Sequence, residues 1–231
     1  LESIRPELRQ YYWESDDDEL PYSRNQRTMV YQRAKSLGGV RPFGSLEKMY
    51  NDDYVCLNHS ISPSKINVED FKTKVSSGKN SYEMSVLNIS GTSFGAISPP
   101  AITSLNKAAK IGGFAQNTGE GSLSSYHELG DGDLIWQIST GYFGCRDING
   151  NFCRKTFSKK AKLKNVKMIE IKLSQGAKPG HGGMLLSDKV TEEIAATRGV
   201  KVGVDCISPS SHAEFSNPVE LLKFADELKK L

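Results

Sequence analysis

The chain has 231 residues, of which 37% are hydrophobic and 25% are charged, proportions that are ordinary for a globular protein. Its net charge of +3 is too small to favour nucleic acid as a partner, because nucleic-acid-binding domains carry a concentrated basic face. No apolar run approaches the roughly 20 residues that span a bilayer, so we expect a cytoplasmic protein. The sequence begins with Leu1 rather than Met, which leaves open a membrane anchor upstream of residue 1.

The first 80 residues are polar and follow no regular pattern, and we predict an irregular, partly helical segment that covers the main domain. Within it, residues 25–37 favour a helix with Met29, Val30 and Ala34 on one side. No residue pattern in this segment indicates catalysis.

The main domain is predicted to span residues 81–231, where short apolar runs alternate with helical ones, as in βαβ units. The predicted strands are residues 85–90, 114–117, 134–138 and 167–173. The predicted helices are residues 98–113, 190–198 and 218–231. The first helix has the serine and prolines typical of a helix start and a diglycine stop. The last helix is the better crossover, so the short one before it is assigned to an enlarged loop.

Two α/β architectures remain open at this point. A TIM (β/α)8 barrel needs eight strands and typically about 250 residues, so four strands cannot close one. Four parallel strands would also leave two edges and an uncovered inner face. The chain is therefore either an open doubly wound sheet or about the first four βα units of a barrel that continues beyond the chain end.

Glycine and polar residues follow every predicted strand, at residues 91–96, 118–121, 139–141 and 175–183. Glycine lets the backbone approach a planar ligand, and such loops at one end of successive strands indicate a ligand site. Ordinary turn chemistry is the alternative for any single loop. None of the loops has the glycine spacing of a Rossmann or Walker A motif.

Lys172 is unusual because it lies inside an apolar strand. If Ile169, Ile171 and Leu173 face the helices, strand alternation turns Lys172 towards the barrel interior. A buried ammonium needs a partner, which an anionic cofactor would supply. The alternative is a pair between Glu170 and Lys172 on a solvated face.

Lys178 and Arg198 form a second candidate set, one in the glycine-rich loop and one at the end of the short helix. Two cations over a site suit a dicarboxylate, since arginine can hold a carboxylate in a bidentate fork. The alternative is two unrelated surface cations.

Several runs together resemble the FMN-binding synthase domain of the glutamate synthase family. They are SFGAIS at 93–98, NTGEG at 117–121, IKLSQGAKPG at 171–180, and ISP at 207–209 with His212. The resemblance covers about residues 85–231. The opening RPELRQY at 5–11 resembles single-chain members that lack the glutamine amidotransferase domain.

The resemblance implies a role for each of these positions. Ser93, Gly95 and Ala96 would lie against the flavin, and Asn117 belongs to the same cofactor site. Gln137 and Lys172 would contact the isoalloxazine ring, where a cation near the N1–C2 edge stabilises the reduced anionic flavin.

The substrate side is implied in the same way. Lys178 and Arg198 match positions that hold the carboxylates of 2-oxoglutarate, with Gly182 and Met184 in the adjacent loop. Glu120 matches a glutamate near the flavin and the electron-entry side, and Lys172 and Glu120 are the two residues predicted to be catalytic. Large family members commonly have glutamine at Met184, glutamate at His181 and arginine at Tyr142, so this chain departs from them there.

The activity implied is the reductive amination of 2-oxoglutarate, through 2-iminoglutarate, to L-glutamate. Ammonia would come from solution or a partner, and electrons from ferredoxin or a reductase subunit through an iron–sulfur cluster. The cluster ligands and phosphate-binding loops of the family lie outside this chain, and a homo-oligomer stays open. The alternatives are an FMN enzyme for a different keto or imino acid, prompted by Met184, and a non-catalytic flavin-binding or scaffold module.

The four cysteines, Cys56, Cys145, Cys153 and Cys206, contain no CxxC pair and do not indicate zinc. We expect unpaired thiols in a reducing compartment. A hairpin with its turn at Asn149 and Gly150 could nevertheless bring two of them close.

Overall fold

The structure is a computed structural model that describes residues 22–36, 58, 60–65, 67–76, 81–176 and 180–231. These residues form two compact units, one from the described parts of 1–48 and 175–181 and the other from those of 49–174 and 182–231. The boundary that the sequence predicts at residue 80 stays a prediction. None of the helices described is long and apolar enough to cross a membrane.

The first unit contains helix α1 (Arg24–Ala34), which begins at a capping box. The hydroxyl of Ser23 accepts from the Gln26 amide at 3.3 Å, and the Gln26 side chain accepts from the Ser23 amide at 2.8 Å. These reciprocal bonds satisfy two of the amides that a helix start leaves unpaired. The helix confirms the predicted one, although it ends three residues earlier than residue 37.

The second unit is a mixed α/β structure with a parallel sheet. Its described helices are α2 (Pro99–Gly112), α3 (Ser125–Glu128), α4 (Arg154–Ala161), α5 (Glu192–Arg198) and α6 (Pro218–Lys230). Its described strands are β1 (Lys72–Val75), β2 (Tyr82–Ser85), β3 (Ala115–Asn117), β4 (Asp133–Ile138), β5 (Val166–Ile171), β6 (Met184–Leu185) and β7 (Cys206–Ile207). Strands β3, β4 and β5 pair in parallel in that order, while β1 with β2 and β6 with β7 are antiparallel pairs.

The predicted strand at residues 85–90 is mostly wrong. Ser85 ends β2, and only Ile89 joins the parallel sheet, through a single bridge to Gln116. The side chain of Asn88 accepts from the Ala115 amide at 3.0 Å and donates to the Ser85 carbonyl at 2.6 Å. The side-chain amide of Asn88 thus makes hydrogen bonds that backbone groups of a neighbouring strand would otherwise make, and the segment stays irregular.

The main core lies on one face of the parallel sheet. Alternate residues of β4, namely Leu134, Trp136 and Ile138, are almost fully buried, and Trp136 stacks on Phe157 of α4 at 5.3 Å between ring centroids. Ile169 and Ile171 of β5 lie on the same face of the sheet and pack against these buried residues. Full burial of one such side chain contributes about 1.5–3 kcal/mol, so this layer fixes which face of the sheet meets the helices.

Helix α4 was missed by the sequence interpretation. Its sequence RKTFSKKA offers a single large apolar residue, Phe157, which is fully buried, and so gives almost no periodic signal. Helix α2 confirms the prediction, with Ser98 at the N-cap position, Pro99 at its start and Gly113 in the left-handed conformation (φ 66°) after its end. Helices α5 and α6 also confirm the predicted pair after the fourth strand.

His127 is expected to make the protein less stable in acid. Its buried ring lies in the capping box of α3, where Nδ1 accepts from the Ser124 amide at 3.1 Å. Burial lowers the pKa of His127 from 6.5 to about 4. Below pH 6.5 the unfolded chain therefore binds a proton that the folded chain refuses until about pH 4, so stability is complete above pH 6.5 and is lost as the pH falls. The loss approaches about 3 kcal/mol near the folded pKa, at about 1.4 kcal/mol per unit.

His127→Gln is the matched variant, because glutamine is the usual residue at this capping-box position, as Gln26 is in α1. Urea denaturation gives the free energy of unfolding at about pH 7 and about pH 4.5. Between these two pH values the variant should lose about 2 kcal/mol less of this free energy than the parent. Equal losses in both proteins would show that His127 does not carry this effect.

Cys145 and Cys153 face each other across the predicted hairpin. Arg146 and Phe152 form an antiparallel bridge, and the Cys153 amide donates to the Cys145 carbonyl at 2.8 Å. Both thiols are free, as is the buried Cys206, and Cys56 lies outside the described residues.

The two hairpin thiols should react at very different rates. Burial raises the pKa of Cys145 to about 12, whereas the hydroxyl of Thr156, which donates to the Cys153 sulfur at 3.3 Å, lowers the pKa of the half-buried Cys153. Since the thiolate is the reactive form, iodoacetamide should alkylate Cys153 roughly tenfold or more faster than Cys145 at neutral pH. Peptide mapping by mass spectrometry checks this, with the urea-unfolded chain as the control in which the difference disappears.

Candidate functional site

Three of the predicted site loops, at residues 91–96, 118–121 and 139–141, lie at the carboxyl ends of the parallel strands, where ligands bind in open and closed α/β sheets. Residues 118–121 follow β3, residues 139–141 follow β4, and residues 172–174 follow β5. Residues 91–97 lie beside them, after the bridge at Ile89. We call this end of the sheet the strand mouth.

A row of three polar side chains crosses the sheet face opposite the main core. Glu170 accepts from the amide groups of Asn117, at 2.9 Å, and of Gln137, by a short hydrogen bond. Asn117 and Gln137 are both buried, and Asn117 also accepts from the Gly119 amide at 2.9 Å. The three residues therefore hold each other's orientation, and the predicted cofactor residues Asn117 and Gln137 lie together.

Lys172 lies next to this row, one residue beyond the end of β5. Its ammonium is 3.4 Å from a carboxylate oxygen of Glu120, and the side chains are 24% and 15% exposed. The structure thus joins the two residues that the resemblance implies are catalytic. Lys172 forms an ion pair with Glu120, and the Glu170 carboxylate accepts hydrogen bonds from the side-chain amides of Asn117 and Gln137.

The loop that holds Ser93 is packed tightly against the loop after β3. The Ser93 hydroxyl accepts from the Gly121 amide at 3.1 Å. Gly119 adopts φ 67°, and a Cβ there would lie 2.6 Å from the Ser93 nitrogen. Glycine is needed at 119 both for its backbone conformation and for this close approach.

Gly95 and Ala96 form a turn, in which the Ala96 amide donates to the Ser93 carbonyl at 3.0 Å. Arg198 fixes this turn from behind. Arg198 is 5% exposed, and its guanidinium donates to the Phe94 carbonyl at 3.0 Å and lies over the ring of Phe143. It is therefore not a surface cation.

Arg198 also lies against the loop after β3. A Cβ on Gly121 would lie 2.9 Å from its Nη2 atom, and Gly121 follows Glu120 directly. The Nε atom of Arg198 is buried and has no hydrogen-bond partner among the described residues. One donor of this side chain thus remains for another group.

The remaining predicted substrate residues are placed as follows. Lys178 lies outside the described residues. Gly182 packs on the Ser208 carbonyl so closely that a Cβ would overlap it. Met184, in β6, is 60% exposed, and its neighbour Leu185 lies beside Gly95.

Three residues of this region were not assigned a site role from the sequence. They are Glu170, which orders the amide row, and Tyr142 and His212, which lie behind Lys172. Alternation along β5 puts Glu170 on the face of Lys172 and would have indicated it. Tyr142 and His212 are 70 positions apart in the chain, and no local pattern connects them.

A separate cleft of about 1110 Å³ lies between β5 and α6, with Tyr82, Asp133, Ile169 and Leu228 among its lining residues. None of the predicted site residues lines it. The ionisable pair and the amide row are at the strand mouth, on the other face of the sheet.

The described cysteines do not form a cluster site. Within the described residues, no group of three or more histidine, cysteine, aspartate or glutamate side chains is arranged to hold a metal ion. Cys206 instead contacts the Arg198 guanidinium at 3.7 Å.

Comparisons with known proteins give a consistent result. The family model described as a conserved region in glutamate synthase matches residues 41–231. A glutamate synthase large subunit-like protein, YerD, of Bacillus subtilis is 32% identical, over 99% of this chain and 51% of the relative. An archaeal glutamate synthase [NADPH] of Methanocaldococcus jannaschii is 34% identical, over 77% of this chain and 32% of the relative. The glutamate synthase [NADPH] large chain of Azospirillum brasilense is 35% identical, over 61% of this chain and 9% of the relative.

The chain thus spans about half or less of the length of these curated relatives. The family match covers most of the chain, including every residue of the strand mouth described above. The chain belongs to the glutamate synthase family.

Proposed function

We propose that this chain is the first half of an FMN-dependent (β/α)8 barrel that forms L-glutamate by reductive amination of 2-oxoglutarate. Membership of the glutamate synthase family supports the reaction class. The parallel order of β3, β4 and β5, with Ile89 bridged to β3, supports the start of a barrel. Residues 1–80 are the cover segment in this proposal and residues 81–231 the barrel half.

One observation carries the proposal: the pairing of Lys172 with Glu120 at 3.4 Å beside the buried amides of Asn117 and Gln137. An ammonium, a carboxylate and two amides at the ends of parallel strands form a polar edge suited to a planar, heteroatom-rich ring. Glycine at position 91 keeps the space beside this row free of a side chain, since a Cβ there would lie 2.9 Å from the Asn117 oxygen. The donor set therefore fits the flavin ring.

In this proposal each residue has a defined task. Lys172 holds positive charge at the ring edge where negative charge develops, and Glu120 keeps the ammonium in place. Asn117 and Gln137, ordered by Glu170, bind the polar rim of the ring. The turn containing Gly95 and Ala96 lies against the ring, because neither residue has a side chain beyond Cβ.

When bound, FMN supplies the hydride that reduces the imine formed from 2-oxoglutarate and ammonia. Arg198, with one buried Nε donor still available, and Lys178 bind the carboxylates of the keto acid. Gly182 and Met184 complete this side. Ammonia comes from solution or a partner, and electrons come from ferredoxin or a reductase subunit through a cluster whose ligands lie outside this chain.

The exposed thioether of Met184 favours testing other keto acids as well. The full-length protein, reduced with dithionite, should convert 2-oxoglutarate and ammonia to glutamate, detected by mass spectrometry, and its absorbance spectrum should show flavin. Preferred turnover of another keto acid would replace the substrate in the proposal. A protein that purifies colourless and does not bind added FMN would overturn it.

A further inference from the structure

His212 lies buried behind Lys172 and makes two hydrogen bonds. It is 8% exposed, and its ring stacks on Phe215 at 4.5 Å between centroids. Its Nε2 atom is 2.9 Å from the Lys172 carbonyl oxygen, and its Nδ1 atom is 3.0 Å from the Tyr142 hydroxyl. Neither contact involves a strand, so neither is part of the sheet.

The partners of His212 determine which nitrogen carries the proton. A carbonyl oxygen only accepts, so Nε2 must carry the hydrogen that is donated to Lys172. In the neutral ring Nδ1 then accepts from the Tyr142 hydroxyl. That hydroxyl in turn accepts from the Glu214 amide at 3.3 Å, so every group in the chain of bonds is satisfied. Burial lowers the pKa of His212, which keeps the ring neutral.

The chain of bonds fixes the peptide on which Lys172 is carried. The Lys172 amide donates to the Ile138 carbonyl at 2.8 Å, which continues the pairing of β5 with β4. The Lys172 carbonyl is held from the other side by His212. With both backbone groups bound, the Cα–Cβ bond of Lys172 has one direction, and its ammonium meets Glu120.

Tyr142 is itself held rigidly. It is buried in the main core against Phe152, and its backbone is in the left-handed region at φ 46°, with its amide bound to the Ser139 carbonyl at 2.9 Å. Such a conformation in a bulky residue persists only where the surroundings enforce it. The hydrogen bonds from Tyr142 to His212 and from His212 to the Lys172 carbonyl, called the relay below, therefore connect a rigid part of the loop after β4 to the end of β5.

We propose that His212, supported by Tyr142, is a positioning residue that holds the Lys172 backbone so that the ammonium stays against Glu120 in the site. The role of that ammonium at the cofactor rests on the proposed function. The geometry of the relay does not, and it can be tested in protein without flavin.

The variants are chosen to separate the hydrogen bond from the packing. His212→Phe keeps the ring on Phe215 but removes both nitrogens. His212→Gln keeps a donor near the position of Nε2 and restores the bond to Lys172 in part. Tyr142→Phe removes only the hydroxyl that orients the imidazole.

The first measurement uses the flavin-free, full-length protein. Long-range proton–nitrogen correlation spectra should show His212 as the neutral Nε2–H tautomer. Acetylation of lysines, followed by mass spectrometry, should modify Lys172 at least about threefold faster relative to Lys167 in His212→Phe, because a Lys172 side chain released from Glu120 extends its amine into solvent, where the reagent reaches it. His212→Gln should stay closer to the parent.

The second measurement is FMN affinity, followed by fluorescence titration. His212→Phe should weaken binding about tenfold, Tyr142→Phe less, and His212→Gln least. A purely structural role would lower the melting temperature of all three variants without changing the Lys172-to-Lys167 labelling ratio, and would overturn the proposal, as would an Nδ1–H tautomer.

The two proposals fail in different ways. If the parent does not bind FMN, the proposed function fails, while the tautomer and the labelling ratio still decide the relay. If the parent binds FMN but labelling is the same in parent and His212→Phe, the relay fails and the proposed function stands. Should His212→Phe not fold, Tyr142→Phe and His212→Gln give the same comparison.

Discussion

Replacing Lys172 with alanine is expected to abolish most flavin-dependent turnover of the full-length protein. The substitution removes the ammonium that lies 3.4 Å from Glu120 and leaves the carboxylate without this partner at a site that is mostly shielded from solvent. A charge-assisted hydrogen bond contributes about 1.5–3 kcal/mol, so FMN affinity should fall about 10- to 150-fold. Removal of one preorganised charge-stabilising group should lower kcat by about 10²–10³.

Lys167→Ala is the matched control, because Lys167 is on the same strand but its ammonium is bound to the Lys164 carbonyl at 2.9 Å, near Asp133. This variant should bind FMN and turn over like the parent. Lys172→Arg keeps the charge and should recover part of the affinity. The double change Lys172→Ala with Glu120→Gln should restore stability without restoring turnover, which separates the structural cost from the chemical one.

Flavin content after dialysis and fluorescence titration with FMN measure binding, and glutamate formation measures turnover. Normal binding and normal turnover in Lys172→Ala would show that the site lies elsewhere. Equal losses in Lys172→Ala and Lys167→Ala would attribute the effect to the strand and not to the ammonium.

The sequence predicted the parallel strands well where apolar residues are contiguous. The runs around Leu134 and Ile169 are buried by helices on one face, and their positions were confirmed to within a few residues. Two elements with weak hydrophobic patterns were not predicted. Helix α4 presents only Phe157 to the core, and strand β1 alternates lysines with threonine and valine. Short elements are specified by tertiary packing, which a local pattern does not contain.

The site was predictable to the extent that it follows from strand alternation. The direction of Lys172 follows from its place two residues after Glu170 and one after Ile171. The partner of Lys172 does not, since Glu120 lies in the loop of another strand, 52 positions earlier by numbering, and only the fold brings them together. The same holds for Tyr142 and His212, whose contact depends on a buried hydroxyl.

Gly119→Ala is expected to disrupt the packing of two loops at the strand mouth. Gly119 has φ 67°, and a Cβ there would lie 2.6 Å from the Ser93 nitrogen and 2.8 Å from the Thr92 carbonyl carbon, both backbone atoms. The left-handed conformation alone costs an alanine roughly 1–2 kcal/mol, and overpacking adds about 1–3 kcal/mol because the facing backbone must move. That movement would separate Ser93 from Gly121, whose bond is 3.1 Å, and so open the proposed flavin pocket.

Gly113→Ala isolates the contribution of this close approach. Gly113 has nearly the same backbone angle, φ 66°, but no atom lies within 4 Å of a Cβ placed on it. Gly113→Ala should therefore lose only this conformational part, roughly 1–2 kcal/mol, and bind FMN normally. Urea denaturation of both variants measures the difference in their free energies of unfolding, and FMN titration shows whether the substitution at Gly119 also weakens cofactor binding. Equal destabilisation by the two alanines would mean that the loops at 92–93 and 119–121 are not in contact, and the packed strand mouth on which Lys172, Glu120 and the amide row depend would have to be abandoned.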